Sequence, residues 1–360
     1  MRCRGAAKAS ARAIAIAGGS LLLVAALNGC AYLPWIHRRG TAGATARSNT
    51  NDSLQVVGAE SARQPPRSAP FAIAAGPGPA IWFSEFLSND IGRISPIGEL
   101  KLFRVKDGGI AERMAKGPDN AIWFTDPSSN RIGRINGDGD VAFVRLLVDD
   151  AGPAGITLGP DGNLWFSEHR AERIGRVTPL GIVTEFALPH GGDPAGIATG
   201  ADGRIYFAQN SGNRIGRIGL DGVIEEFPLP NPGSAPNSIV SGRDGNLWFT
   251  ELGSQKIGRL TPQGDMTEFA LPVAALPMDL AAGTDSAVWV TLPGVHAVAR
   301  IAPDGRANVF YFAETVIPSL VTTGSDGNVW FTEPTGKIGR LSVAGVLTEF
   351  PATPSELRGN

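Results

Sequence analysis

The chain has 360 residues, a formal net charge of −2 and a sequence pI near 6.1. That balance excludes the basic face that nucleic-acid binding requires. With 47 Gly and 27 Pro against 18% charged residues, the composition describes short strands joined by tight turns rather than a helical protein.

The chain opens on "MRCRGAAKASAR", which is basic and carries no acid, followed by the apolar run "AIAIAGGSLLLVAALNGC". The run is too short and too Gly-broken for a membrane span, and the pair has the order of a secretory signal over residues 1–29. Its end, Leu27-Asn28-Gly29-Cys30, resembles the bacterial lipoprotein box, so Cys30 is expected to carry lipid. The plainer alternative is ordinary signal cleavage near "AYLPW", with Cys30 incidental. Ala31 follows Cys30 where an acid would retain the protein in the inner membrane. The expected location is therefore the periplasmic side of the outer membrane, held by the lipid anchor alone. Cys3 leaves with the signal, so the mature chain has no second thiol for an intrachain disulfide. Residues 30–69 read as a polar, Pro-containing tether in which "LQVV" (Leu54–Val57) is the one strand-like piece.

From Pro70 the sequence repeats. An aromatic recurs at Trp82, Trp123, Trp165, Tyr206, Trp248, Trp289 and Trp330. The arginine of "IGR" recurs at Arg93, Arg134, Arg176, Arg217, Arg259, Arg300 and Arg340, with copies 40 to 42 residues apart. Each unit reads "PxxI", a "PDG" or "SDG" turn, an apolar "LWFTE", "RIGRI", a second Gly turn and "ITEFALP". That is four short strands with Gly-centred turns. Seven units of this period predict an all-β, seven-bladed propeller of four-stranded antiparallel blades over 70–354, with a tail at 355–360.

The phrases "LWFTE", "KIGRL" and "ITEFALP" resemble the repeat of the streptogramin lyases, or virginiamycin B lyases, over about residues 70–350. The resemblance implies a seven-bladed propeller that opens the ester of a cyclic depsipeptide antibiotic by elimination, assisted by magnesium. It also implies a histidine after the opening Pro in each of the last two blades, an acid just before the second of these, and a glutamate ending the last "WF" strand. Here those histidine places hold Met278 and Ser319, and the acid's place holds Val316, with Glu314 two residues earlier. Glu333 alone keeps its place as the candidate catalytic residue. A methionine offers no base, and an unassisted serine is a poor one.

Two sets of residues are expected at one rim of the ring, because neighbouring strands are antiparallel. One is Phe71, Glu112, Ala154, Ala195, Asn237, Met278 and Ser319; the other is Glu85, Asp126, Glu168, Gln209, Glu251, Leu292 and Glu333. The acids of the second set either tie down local turns, or pair with residues such as Arg173 and Lys256, or together form a ring for a cation or polar ligand. Glu168, His169, His190 and Asp193 are a candidate metal or acid–base group, against the alternative of two solvated loop histidines. Met278 and Leu292 suggest an apolar notch in an irregular sixth blade. Two function classes remain: a propeller that binds a small molecule or peptide at the channel mouth, or an enzyme, as a streptogramin lyase or a metal-dependent hydrolase or lactonase.

Overall fold

The structure, a computed structural model, describes residues 68–106 and 109–353. The signal, Cys30, "LQVV" and the chain end lie outside the described residues. Seven four-stranded sheets follow one another in chain order, each a simple meander. The first is built from Pro70–Ala75, Ile81–Glu85, Asp90–Ile94 and Leu100–Arg104, and the last from Val321–Thr323, Val329–Glu333, Lys337–Leu341 and Leu347–Pro351. The described part is thus the expected all-β propeller. Ser68 and Ala69, assigned above to the tether, belong to the first blade: both are buried, and both donate hydrogen bonds to Glu85, at 2.7 and 3.0 Å.

The repeated letters are packing and turn chemistry. In the third blade Trp165 stacks on Phe186 of the outermost strand, with ring centroids 5.7 Å apart, and Arg176 lies over both rings. Asp161 of the "PDG" turn accepts from the Trp165 indole N–H at 3.1 Å. The "IGR" glycine is required by the "WF" aromatic: a Cβ at Gly175 would come within 2.1 Å of the Phe166 ring. In the sixth blade the two letters change together, to Val290 and Ala299, so the smaller side chain makes room for the added methyl. The irregular blade is therefore a compensated repacking. Leu292 is fully buried there, which closes the apolar notch expected beside Met278.

The ring closes without strand exchange. The seventh blade takes all four strands from the C-terminal side and the first blade all four from the N-terminal side. Hydroxyls at the second strands staple blade to blade: Thr125 donates to the Ala154 carbonyl, Thr291 to Ser319, and Thr332 to Phe71 across the closing seam, the last at 2.8 Å. Arg340 reaches the Pro96 carbonyl over the same seam at 2.7 Å. Ile73, Phe83, Leu320, Trp330 and Ile338 share one core cluster across it.

Candidate functional site

Each innermost strand begins with a bulge. In the second blade Glu112 donates its N–H to the Thr125 carbonyl, while the Thr125 N–H bonds the Arg113 carbonyl, so two residues oppose one. Met278 and Asp279 face Thr291 in the same way, and Ser319 and Leu320 face Thr332. Bulges re-aim side chains at barrel and propeller rims. Below the bulges the strands contribute one apolar residue each to a ring, namely Ile73, Met114, Ile156, Ile197, Ile239, Leu280 and Val321. This ring lines a central cavity of about 370 Å³.

The charged groups of the cavity lie at the bulge level, Thr322 and Thr323 also line it beyond the apolar ring, and none of these is a residue expected from sequence. Asp279 is 5% exposed and lines the cavity. Its Oδ1 accepts from the Ser238 hydroxyl of the fifth blade at 2.5 Å, and its Oδ2 from the Val321 N–H of the seventh blade at 3.0 Å. Arg113, from the second blade, reaches across the ring to the same Oδ2 at a longer 3.4 Å. The signal was present in the sequence. Two places after the blade-opening position, which is Pro in six blades and Ala111 in the second, stand Ala72, Gly155, Gly196, Ser238 or Leu320 in five blades, but Arg113 and Asp279 in the other two. Gly155 and Gly196 are small for another reason. A Cβ on either would press on the next blade's innermost strand, at 2.6 Å from the Ala195 carbonyl and 2.5 Å from the Asn237 carbonyl.

The acids that end the second strands do not line this cavity. Glu85, Asp126, Glu168, Glu251 and Glu333 are all buried, at 0 to 2% exposure. Asp126 accepts from Ser128 and from Arg131, both at 2.7 Å; Glu251 accepts from Ser254 at 2.6 Å. The reading that these acids tie down local turns describes Glu85, Asp126 and Glu251, whereas both carboxylate oxygens of Glu168 and of Glu333 are buried without a hydrogen-bond partner. A ring of mutually facing carboxylates disposed to hold a metal does not form among the described residues. Burial dominates the ionisation of the four glutamates. It lifts Glu85 to about 7, against the hydrogen bonds from Ser68 and Ala69. Glu168 is lifted to about 8 by burial and by the neighbouring Glu185, with Arg173 opposing. Glu333 is lifted to about 7 by burial and by Glu349, with Lys337 opposing. Burial also raises Glu251. At the rim, burial raises Glu112 against the pull of Arg113 and Arg170.

The proposed metal group is not assembled. His190 Nδ1 lies 2.6 Å from Glu226 Oε2 on the outermost strand of the fourth blade, away from the expected partners. His169 is half-buried and its backbone N–H bonds the Gly152 carbonyl at 2.9 Å. Asp193 holds a left-handed turn position, with φ 51°. Among the described residues no group of three or more His, Cys, Asp or Glu side chains is disposed to hold a metal ion. The physical reason is that the link before each blade straps onto that blade's outer strand: Leu147 to Glu185, His190 to Glu226 and Asn231 to Glu268. His296 is the left-handed cap of a single 3₁₀ turn, Pro293–Val295.

The family model described as the Virginiamycin B lyase family matches residues 46–194 and 190–359. The chain belongs to the virginiamycin B lyase family. Among solved structures, a streptogramin B lyase is 34% identical, with a TM-score of 0.73 over 80% of this chain and 95% of its own. A virginiamycin B lyase from Staphylococcus aureus is 32% identical, with a TM-score of 0.72 over 76% of this chain and 94% of its own. A catalytically inactive histidine-to-alanine variant of that enzyme, with quinupristin, is also similar at 32% identity and a TM-score of 0.72, over 78% of this chain and 96% of its own. No sequence among curated proteins matches the chain.

The magnesium implied by the family finds no fitting donor set around Glu333. Met278 is half-buried and packs with Phe71 and Leu320, and its thioether is a soft donor that magnesium does not favour. Val316 is buried and apolar, while Glu314 is exposed two residues away. Ser319 and Asn237 are half-buried at the rim, and neither supplies a carboxylate.

Proposed function

We propose that this member of the virginiamycin B lyase family is an exported, lipid-anchored propeller that binds a small molecule or peptide at its channel and does not perform the family's elimination. One observation carries the reading. Met278 and Ser319 occupy the places implied for the family's histidines, so the side chains there offer no base and a poor one for taking a proton beside a carbonyl. The inactivity of the histidine-to-alanine relative supports it. The channel supports a binding role, with an apolar ring between a charged group at the bulge level and the threonines Thr322 and Thr323.

The second reading, an active lyase or a metal-dependent hydrolase or lactonase, draws on Glu333. It keeps the family's place, and its ionisation is shifted to about 7, within reach of acid–base work. Calorimetric titration of magnesium into the protein separates the two. The binding reading expects no saturable site. A saturable site that Glu333→Gln removes would favour the enzyme. The anchor is tested by cell fractionation: Cys30→Ser is expected to leave the membrane fraction, and an unchanged distribution would refute lipidation.

A further inference from the structure

We infer that the channel is a receptor for an organic ammonium ion with a compact apolar body, that Asp279 is its counter-ion, and that Arg113 stands in for the ligand when the site is empty. This inference rests on the binding reading above and supplies its ligand class.

Asp279 is built as a fixed anion. It is almost wholly buried, yet two short hydrogen bonds from neighbouring blades, from Ser238 Oγ and the Val321 N–H, set its orientation. A buried carboxylate needs a cation or further donors, and here the protein supplies only one cation, loosely. Arg113 comes from the far side of the ring, touches Oδ2 through one nitrogen at 3.4 Å and keeps a side chain that is 28% exposed. Arginine–carboxylate pairs are frequently bidentate, whereas this contact is single and long. Carboxylate and guanidinium therefore differ in kind: one is preorganised, the other is the movable member.

The charges allow an exchange. Glu112 precedes Arg113 and lies close enough for its carboxylate to be stabilised by the arginine. When an ammonium group takes Asp279, Arg113 turns to Glu112, which Arg170 also stabilises, so neither acid is left without a cation. A carboxylate ligand would instead add a third acid where Asp279 and Glu112 already engage the arginines. Beside Asp279 the cavity is lined by the apolar ring, including Leu280, Ile239 and Val321, which suits a short hydrocarbon body. At about 370 Å³ the cavity stands at the small end of ligand sites.

The test uses hexylammonium, with hexanoate and hexanol as probes of equal body, in titration calorimetry and thermal melting on the full chain. Hexylammonium is expected to bind saturably, and hexanoate and hexanol at least about tenfold more weakly. Asp279→Asn is expected to weaken hexylammonium about tenfold or more. Arg113→Met removes the internal competitor; it is expected to lower the melting temperature and to bind hexylammonium more tightly, with the amine restoring the lost stability. Binding of hexanoate in preference to the amine would overturn the inference. So would an Arg113→Met protein whose stability the amine does not restore, or hexylammonium affinity untouched by Asp279→Asn. A protein that opens a streptogramin yet binds hexylammonium at Asp279 would sink the non-catalytic reading and leave this site standing. The reverse pattern would sink the site alone.

Discussion

Gln209 at the end of the second strand of the fourth blade donates its amide N–H to Glu226 Oε1 of the outermost strand, at 2.9 Å. The corresponding residues of the third, fifth and seventh blades are two glutamates: Glu168 with Glu185, Glu251 with Glu268, and Glu333 with Glu349. In the sixth both are apolar, Leu292 and Val309. The amide of Gln209 thus supplies a permanent donor where the other three blades set two carboxyl groups near each other, and where Glu168 and Glu333 have no hydrogen-bond partner on either oxygen. Glu226 is held low despite burial by Gln209, His190 and Arg214, while Glu168 beside Glu185 is raised.

Glu168→Gln is accordingly expected to stabilise the protein. The amide copies Gln209, and Arg173 stands where Arg214 does. At pH 8 the melting temperature should rise by roughly 2 °C for each kcal/mol recovered. A fall in melting temperature at that pH would show that Glu168 is ionised and satisfied in the native state.

The same groups set a pH dependence. Glu85, Glu168 and Glu333 have native values of about 7, 8 and 7, all above the ordinary carboxylate value. Between about pH 4.5 and 8 the native state therefore binds more protons than the unfolded chain, and stability falls as pH rises, by about 1.4 kcal/mol per pH unit for each group in its window. Above about 8 this loss is complete. Melting temperatures in urea-free buffer from pH 5 to 8 should decline, and the decline should be shallower in Glu168→Gln. A flat profile would contradict the assignment.

His190 is an inter-blade strap rather than a ligand. Its counterpart one blade on is Asn231, which bonds Glu268 at 2.6 Å. His190→Asn is expected to leave stability unchanged within about 0.5 kcal/mol, while His190→Ala, which removes a partly exposed bond, costs up to about 1 kcal/mol. Denaturant unfolding distinguishes these. Zinc-dependent stabilisation lost in His190→Ala would instead restore the metal reading.

Thr332→Val removes the hydroxyl staple across the closing seam while keeping the shape. The Phe71 carbonyl loses its 2.8 Å donor, so a cost of about 1–2 kcal/mol is expected, short of unfolding. The fourth blade already has Ala208 at this place and has no such hydroxyl. Equilibrium unfolding of the variant measures the cost. No change would mean that the shared apolar cluster alone holds the seam.

The architecture was legible because the repeat letters are intrablade contacts: Trp on Phe, Arg over both, Asp on the indole, Gly beneath the aromatic. Each is local, and its spacing is visible along the chain. The site was less legible. Arg113 and Asp279 are 166 residues apart and meet only through the ring, so no local pattern pairs them. The recurring acids misled in the opposite direction. Antiparallel pairing does bring Pro70 level with Glu85 and Pro194 level with Gln209, but level with the rim is not facing the channel. Burial of the second strand on both faces turns those acids into the blade. His169 and His190 were near in sequence logic and separated by the strap that carries His190 to Glu226.

The most direct test of the non-catalytic reading is to incubate the protein with a type B streptogramin, with magnesium present or chelated, and to separate and weigh the products. Elimination yields an opened chain of unchanged mass and altered retention, whereas hydrolysis adds the mass of one water. The account predicts a single unaltered peak under both conditions. A magnesium-dependent opened isomer that Glu333→Gln abolishes would contradict it.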